Sequence, residues 1–341
     1  LVARPVPLAQ QALGFSAGRT PHQSTFNRLL RRRDPTALAT ALRQLLDAPA
    51  ARPRASQGVA CDGHAQRGRL AFTPPPPGTS PIHEVAAYCV ATGTVLAAVL
   101  VTSTADKAAA ELNSAPALLA AVDWTGRVLT GDALWCQRRL CEQVVAAGGD
   151  YLLTVKANQG HLLAALQAWF APETRRRYGY APPPTDRRET ATRDDGHGRV
   201  DIRYLAATAE LRRVLDWPHL AQGFMVIRSW QAQGITHQEE QHWGITSLPA
   251  EVAGVGRLLE LRRGHWGIEN RLHYVKDVTL GEDRSLIHRE AGPAIMSLLR
   301  DLVVSVFHRT GHRQIAARLR YHARHPEAAL AMLGCPLFEN A

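Results

Sequence analysis

The stretch Arg262-Arg263-Gly264-His265-Trp266-Gly267-Ile268-Glu269-Asn270-Arg271-Leu272-His273-Tyr274-Val275-Lys276-Asp277 sets a single acid before its last residue, Glu269, among arginine, histidine, tryptophan and lysine. At helical spacing Arg262, His265, Glu269, His273 and Lys276 fall on one face. Such a face is either solvated charge or a site. The Trp266-Gly267 step within it, and Leu258, Leu259 and Leu261 before it, describe a partly buried helix and favour a site.

The surrounding chain has 341 residues, 45% of them hydrophobic, enough for a large core in two or three lobes. A net charge of +10 points to a polyanionic partner, nucleic acid or an anionic membrane surface. Val85 to Thr104 runs without a charge, but Ala91-Thr92-Gly93-Thr94 interrupts it with a turn signal and each half has strand length. The segment therefore reads as a buried hairpin, and no membrane contact is expected. The five cysteines lack CxxC spacing, so neither a zinc site nor a disulfide framework is expected, which fits a reducing compartment. The first thirty residues carry no signal-peptide pattern, and the expected location is cytoplasmic, with the nucleoid.

Taken in order, residues 1–56 read as helical and basic, with Ser24 as N-cap of one helix and a second helix over Ala37 to Leu46. This pair either binds DNA or packs as a subdomain with an arginine-rich solvated face. Residues 57–170 run strand, strand, strand, helix, strand, helix, strand, helix, the order of an α/β layer with mixed strand direction. Residues 171–249 change character: a surface linker through Pro182-Pro183-Pro184 to Asp195, then strands at Arg199 to Thr208, Gly223 to Gln231 and Glu239 to Leu248. Residues 250–290 hold the helix carrying Glu269, and 291–341 are helical again.

Two acids stand at strand ends, Asp62 and Asp132, and the third is Glu269. An acid at a strand end is often only a turn former, but strand ends of an α/β sheet also line the crevice where ligands bind. Converging carboxylates repel unless they share cations. Hard oxygen donors select Mg²⁺ or Mn²⁺. A pair of such ions ~3.5–4 Å apart activates a water or 3′-hydroxyl for phosphodiester cleavage.

The chain resembles the bacterial insertion-sequence transposases of the DDE type, in the group of the H-repeat-associated proteins. The residues that carry the resemblance are Asp62-Gly63 with Arg67-Gly68, Thr130-Gly131-Asp132-Ala133-Leu134, Gly148-Gly149-Asp150-Tyr151 with Val155-Lys156-Ala157-Asn158-Gln159, His197-Gly198-Arg199, Arg263-Gly264-His265-Trp266-Gly267-Ile268-Glu269-Asn270, and Asp277-Val278 with Glu282-Asp283. The resemblance implies an RNase H-like catalytic core with a β-rich insertion and helical N- and C-terminal parts. It implies Asp62, Asp132 and Glu269 as metal ligands and catalytic residues, with two Mg²⁺ or Mn²⁺ ions. It implies double-stranded DNA, transposon ends and target, as partner, with a homodimer on the paired ends. Lys276, seven residues after Glu269, resembles the basic residue that contacts transposon-end DNA in related enzymes.

Arg262 and His265 are expected to position phosphates beside Lys276. Lys156 and Asn158, with Gln159, either touch DNA or fix the turn after their strand. Trp266 or Trp135 either stacks on an unpaired base or packs in the core. Three features depart from the family pattern: His64 where lysine is common, Trp135 where histidine is common, and Pro74 to Pro77 after the first acid. The expected activity is metal-dependent cleavage and strand transfer. The rivals are a catalytically silent DNA-binding descendant and a nuclease without strand transfer.

Overall fold

The charge-free segment forms the hairpin edge of a sheet that runs to nine strands among the described residues. The structure is a computed structural model, and it describes residues 21–46, 56–66, 82–102, 107–170, 186–196, 198–232 and 235–334. The motif pair Arg67-Gly68, the Pro74 to Pro77 loop, Pro182 to Pro184 and His197 lie outside the described residues.

In chain order the strands are β1 (Gln57–Ala65), β2 (Ile82–Cys89), β3 (Thr94–Thr102), β4 (Arg127–Gly131), β5 (Asp150–Val155), β6 (Arg188–Gly196), β7 (Arg199–Thr208), β8 (Gln222–Ala232) and β9 (Ile235–Thr246). The helices are α1 (Gln23–Arg31), α2 (Pro35–Leu46), α3 (Lys107–Ala120), α4 (Arg138–Ala146), α5 (Gly160–Phe170), α6 (Val255–Gly264), α7 (Gly292–Arg309), α8 (Ile315–Arg324) and α9 (Pro326–Met332). Across the sheet the order is β3-β2-β1-β4-β5-β9-β8-β7-β6. β1, β4 and β5 are mutually parallel neighbours, and the remaining pairings are antiparallel. The fold is thus mixed α/β on one large sheet.

Alternation along each strand sorts side chains to two faces. Val59 and Cys61 of β1 join Leu118, Leu119, Trp135, Leu140 and Leu166 from α3, α4, α5 and the turn after β4. Ala60 faces the other way, with Tyr88, Ile268, Leu272, Val304 and Phe307. The sheet is buried on both sides there, and each such fully buried Leu contributes ~1.5–3 kcal/mol. Gly148, at φ +81°, ends α4 in the left-handed conformation that glycine adopts without a Cβ penalty, and β5 follows at once.

Three local expectations need correction. The N-cap of α1 is His22, whose ring nitrogen accepts from the Ser24 N–H, and not Ser24 itself. The charged run before Asp195 is an edge strand, β6, not a linker. Its two faces are both polar, so no apolar alternation marks it, and charge is what protects an exposed sheet edge from stray pairing. The helix expected within residues 250–290 to carry Glu269 starts at Val255, and past Ile268 it widens into π-helical turns over Glu269–His273 and Val275–Thr279. Of the N-terminal pair, α2 packs on β3 and α7, while α1 leaves Arg28 exposed, and Arg32 and Arg33 just after it are exposed too.

Candidate active site

Asp62 and Asp132 are set by strand register. β1 and β4 run parallel with Ala60 opposite Thr130, and each acid lies two residues further along its own strand direction. Two residues preserve the face, so both carboxylates emerge on the side of Ala60, under the helix that carries Glu269. The Gly63 N–H donates to Asp62 Oδ1 at 2.9 Å. Asp132 caps the short helical turn Ala133–Trp135, its Oδ1 accepting from the Leu134 N–H at 2.9 Å.

Glu269 comes down onto Asp62 through His273. His273 Nδ1 lies 3.1 Å from Glu269 Oε2 and 3.7 Å from Asp62 Oδ2. One donor atom from each of these three residues falls within 4.8 Å of the others, a spacing that could hold a metal ion. Asp132 stands outside that tight group, beside it by register.

The electrostatics fit a cation. Burial pushes the Asp62 carboxyl up to about 7, and the charge of Glu111 adds to it, with smaller additions from Asp132 and Glu269. Asp132 is raised by partial burial and by Glu111, against its hydrogen bonds to the Leu134 and Trp135 backbone. Glu269 is held below the ordinary carboxylate range, chiefly by the His273 hydrogen bond. A divalent ion would relieve the crowding of negative charge that raises Asp62.

Glu111 was not legible as part of this group, because it sits on an alanine-rich helix that reads as packing. It is buried on α3, where its Oε1 accepts from Trp135 Nε1 at 2.9 Å, and His83 Nε2 is 3.7 Å from its Oε2. A Cβ at Gly63 would collide with the Glu111 carboxylate and with His83 Nε2, so any larger residue there must displace that buried pair. Trp135 is core, as one of its two readings had it.

His64, which departs from the family pattern, still supplies a cation. Burial opposes its charge, but hydrogen bonds to Asp277, at 3.0 Å, and Glu282 outweigh burial and push it up to about 9. Its ring stacks on His273 with centroids 4.7 Å apart.

The expected DNA contacts separate. Trp266 is 59% exposed, three residues before Glu269 in sequence and outside the core. Lys156 is exposed and its charge acts on Asp132. Arg262 is half-buried; burial lowers its pKa from the ordinary arginine value, and the charge of Asp132 opposes that. His265 faces inward, its Nδ1 3.3 Å from Thr130 Oγ1, and burial together with Arg262 pushes it down to about 4. A neutral, enclosed imidazole offers phosphate no charge at neutral pH. Asn158 fixes a turn, but that of the second acid: its Nδ2 donates to the Ala133 carbonyl at 2.6 Å, and Gln159 Nε2 donates to Cys136 O at 2.8 Å.

Lys276 does not reach the surface, and the expected phosphate contact is corrected. It is 0% exposed, with Nζ 2.8 Å from Glu84 Oε1, 2.8 Å from Asp301 Oδ1 and 2.9 Å from Ser297 Oγ. The cause is the π-helical stretch, whose wider turns break the spacing that put Lys276 in line with Glu269.

Residues 76–304 match a family model described as a transposase DDE domain; the match holds Asp132 and Glu269 and begins after Asp62. The chain is 28% identical over 228 residues to the protein YbfL of Escherichia coli (strain K12), across 64% of this chain and 57% of that one. The H repeat-associated protein YhhI of the same strain gives the same identity and coverage. The chain thus spans less than two thirds of the length of these relatives. A chain in the piggyBac transposase synaptic complex with hairpin DNA aligns over 85% of this chain and 55% of its own, at 12% identity and a TM-score of 0.37, too loose a likeness to carry an argument. With the family model covering most of the chain, this protein belongs to the DDE transposases, in the group of the H repeat-associated proteins.

Proposed function

We propose that the chain is a DNA transposase that cuts phosphodiester bonds at insertion-sequence ends and transfers the strands, on an RNase H-like core made of β1 to β5 and their helices. The observation that carries this reading is the paired register of Asp62 and Asp132, with Glu269 drawn to Asp62. The strand order β3-β2-β1-β4-β5, with β1, β4 and β5 parallel, supports the core assignment.

In this reading Asp62, Asp132 and Glu269 would hold two Mg²⁺ or Mn²⁺ ions. When bound, the ions supply a deprotonated water or 3′-hydroxyl near neutral pH and neutralise the leaving oxygen. The protein's own groups do the rest. Arg262 steers a phosphate oxygen beside Asp132. Lys156 and Lys107, whose charges act on Asp132 and Glu269 respectively, pair with flanking phosphates. Trp266 offers a stacking surface for an unpaired base. Double-stranded ends and target are the partners, with a homodimer bringing two ends together. Among the described residues no helix is long and apolar enough to cross a membrane.

The test is cleavage of a labelled duplex carrying the flanking gene ends, with Mn²⁺ or Mg²⁺ against EDTA, beside Glu269→Gln. Metal-dependent cuts that vanish in the variant support the enzyme. Salt-sensitive binding without cuts under every metal moves the assignment to a silent DNA-binding descendant.

A further inference from the structure

We propose that His273 is a nitrogen ligand of the ion held by Asp62 and Glu269, which makes this a mixed oxygen–nitrogen site rather than an all-carboxylate one. The inference rests on the metal-dependent reading above and adds a residue to it.

Geometry is the first support. At bond lengths of ~2.0–2.2 Å, neighbouring ligand atoms around one ion sit about 3 Å apart and opposite ones about 4 Å. His273 Nδ1 already lies 3.1 Å from Glu269 Oε2 and 3.7 Å from Asp62 Oδ2. In the metal-free state Nδ1 shares a proton with Glu269. The ion replaces that proton, which leaves to solvent while Nε2 carries the ring N–H, and the spacing then needs only small adjustments for all three residues to share the ion.

Rigidity is the second. His273 is 2% exposed, and its ring lies against His64 at an interplanar angle of 19°. His64 is itself tied to Asp277 at 3.0 Å. The other ring nitrogen, Nε2, is buried without a hydrogen-bond partner, so stacking on His64 sets the orientation of the ring. A ligating imidazole ordinarily donates its other ring N–H to an orienting group; this site departs from that pattern, and the stack on His64, itself held by Asp277, fixes the ring instead.

The backbone is the third. Glu269–His273 is one π-helical segment, in which the Tyr274 N–H bonds back to the Glu269 carbonyl, five residues earlier. Single π turns inside α-helices recur at functional sites because they re-aim side chains. This one turns Glu269 and His273 onto the same point above Asp62.

The chemistry sets the expectation. Oxygen donors suit Mg²⁺, whereas imidazole suits transition ions. The site therefore favours Mn²⁺ and Co²⁺ over Mg²⁺ more strongly than three carboxylates would.

The experiment uses the full chain loaded with Mn²⁺, read by electron spin echo envelope modulation, with and without ¹⁵N-histidine labelling. The expected result is nitrogen modulation from a directly bound imidazole that changes on labelling and disappears in His273→Phe. Mn²⁺ affinity in that variant falls by about tenfold or more, and Mg²⁺ affinity falls less. Bound Mn²⁺ without nitrogen modulation, or modulation that survives His273→Phe, overturns the proposal and leaves the carboxylate site standing. A wild-type chain that binds no Mn²⁺ overturns both readings together. The wild-type spectrum alone can refute the idea, so a variant that folds poorly does not shelter it. Asp62→Asn is the companion variant, expected to abolish the bound signal.

Discussion

Lys276 Nζ lies 2.8 Å from Glu84 Oε1, and both side chains are buried. Asp301 and Glu282 crowd the same amine, and their charges hold it protonated well above the ordinary lysine range despite the opposing burial. Removing one partner of a buried ionic group costs ~3–5 kcal/mol, because the others are left uncompensated. Lys276→Met is expected to lose that much in urea unfolding, with the salt slope of DNA binding unchanged. A lowered slope at full stability would return Lys276 to a phosphate contact.

Glu282 links this cluster to His64 and carries its pH dependence. Burial would raise its pKa, but Lys276, the His64 hydrogen bond and Arg300 overcome that and lower it from 4.5 to about 2. A carboxyl depressed in the folded state contributes stability that is complete above the unfolded value and is lost as pH falls through the folded one. Thermal stability is therefore expected to drop between about pH 4.5 and 2. Glu282→Gln should flatten that drop and lower stability at neutral pH. A variant whose acid limb matches the parent would show that the pH dependence comes from elsewhere.

Gly63 separates Asp62 from Glu111. An added methyl meets the Glu111 carboxylate and His83 Nε2, and overpacking of this kind costs ~1–3 kcal/mol. Gly63→Ala is expected to melt earlier and to weaken Mn²⁺ binding. Gly196→Ala, with nothing within 4 Å of its added Cβ, is the control that should change neither.

Lys156 is proposed as a phosphate contact, whereas Asn158, two residues on, braces the turn after Asp132. Lys156→Ala should lower the slope of log affinity against log salt by about 1, as loss of one phosphate contact does. Asn158→Ala removes the brace on the Ala133 carbonyl and should leave the slope alone while slowing cleavage. Equal slope changes in both would make Asn158 a DNA contact.

Trp266 has little to hold in the fold, so Trp266→Ala should change stability by less than about 0.5 kcal/mol. If it stacks on a base, affinity for an end with unpaired bases falls by ~1–3 kcal/mol, measured by fluorescence anisotropy against a fully paired duplex. A large loss of stability instead would assign it to packing.

Much of the sheet was readable because its strands are apolar and bounded by turn residues, as Ala91 to Thr94 shows. Asp132 was readable for the same reason, since it ends an apolar run just past β4. Asp62 also follows an apolar run, but it is not the strand end expected of it, because β1 stays paired with β2 as far as Ala65. What escaped depended on neighbours distant in sequence. β6 hides because an edge strand needs no apolar face. Glu111 becomes significant only when Gly63 and Trp135 pack over it. The π turns leave no mark in residue choice, and with them went the expectation for Lys276. His242-Trp243-Gly244-Ile245 and His265-Trp266-Gly267-Ile268 make the point directly: one tetrapeptide lies in β9, and its copy runs into a helix. Tertiary context, not local preference, decides between them.

β9 is bonded to β5 on one side and to β8 on the other, with Thr246 paired to both Leu152 and Gln222. The outer strands therefore continue the sheet that carries Asp62, joined to it by backbone hydrogen bonds, and are not a flap on a tether. On the proposed reading, DNA held at the far end of these strands would be kept at a set distance from the acids, as a jig holds a workpiece against the blade. If the proposed transposase reading holds, shortening β8 and β9 in matched steps is expected to shift the cut site along a labelled duplex, and an unmoved cut would separate these strands from DNA positioning.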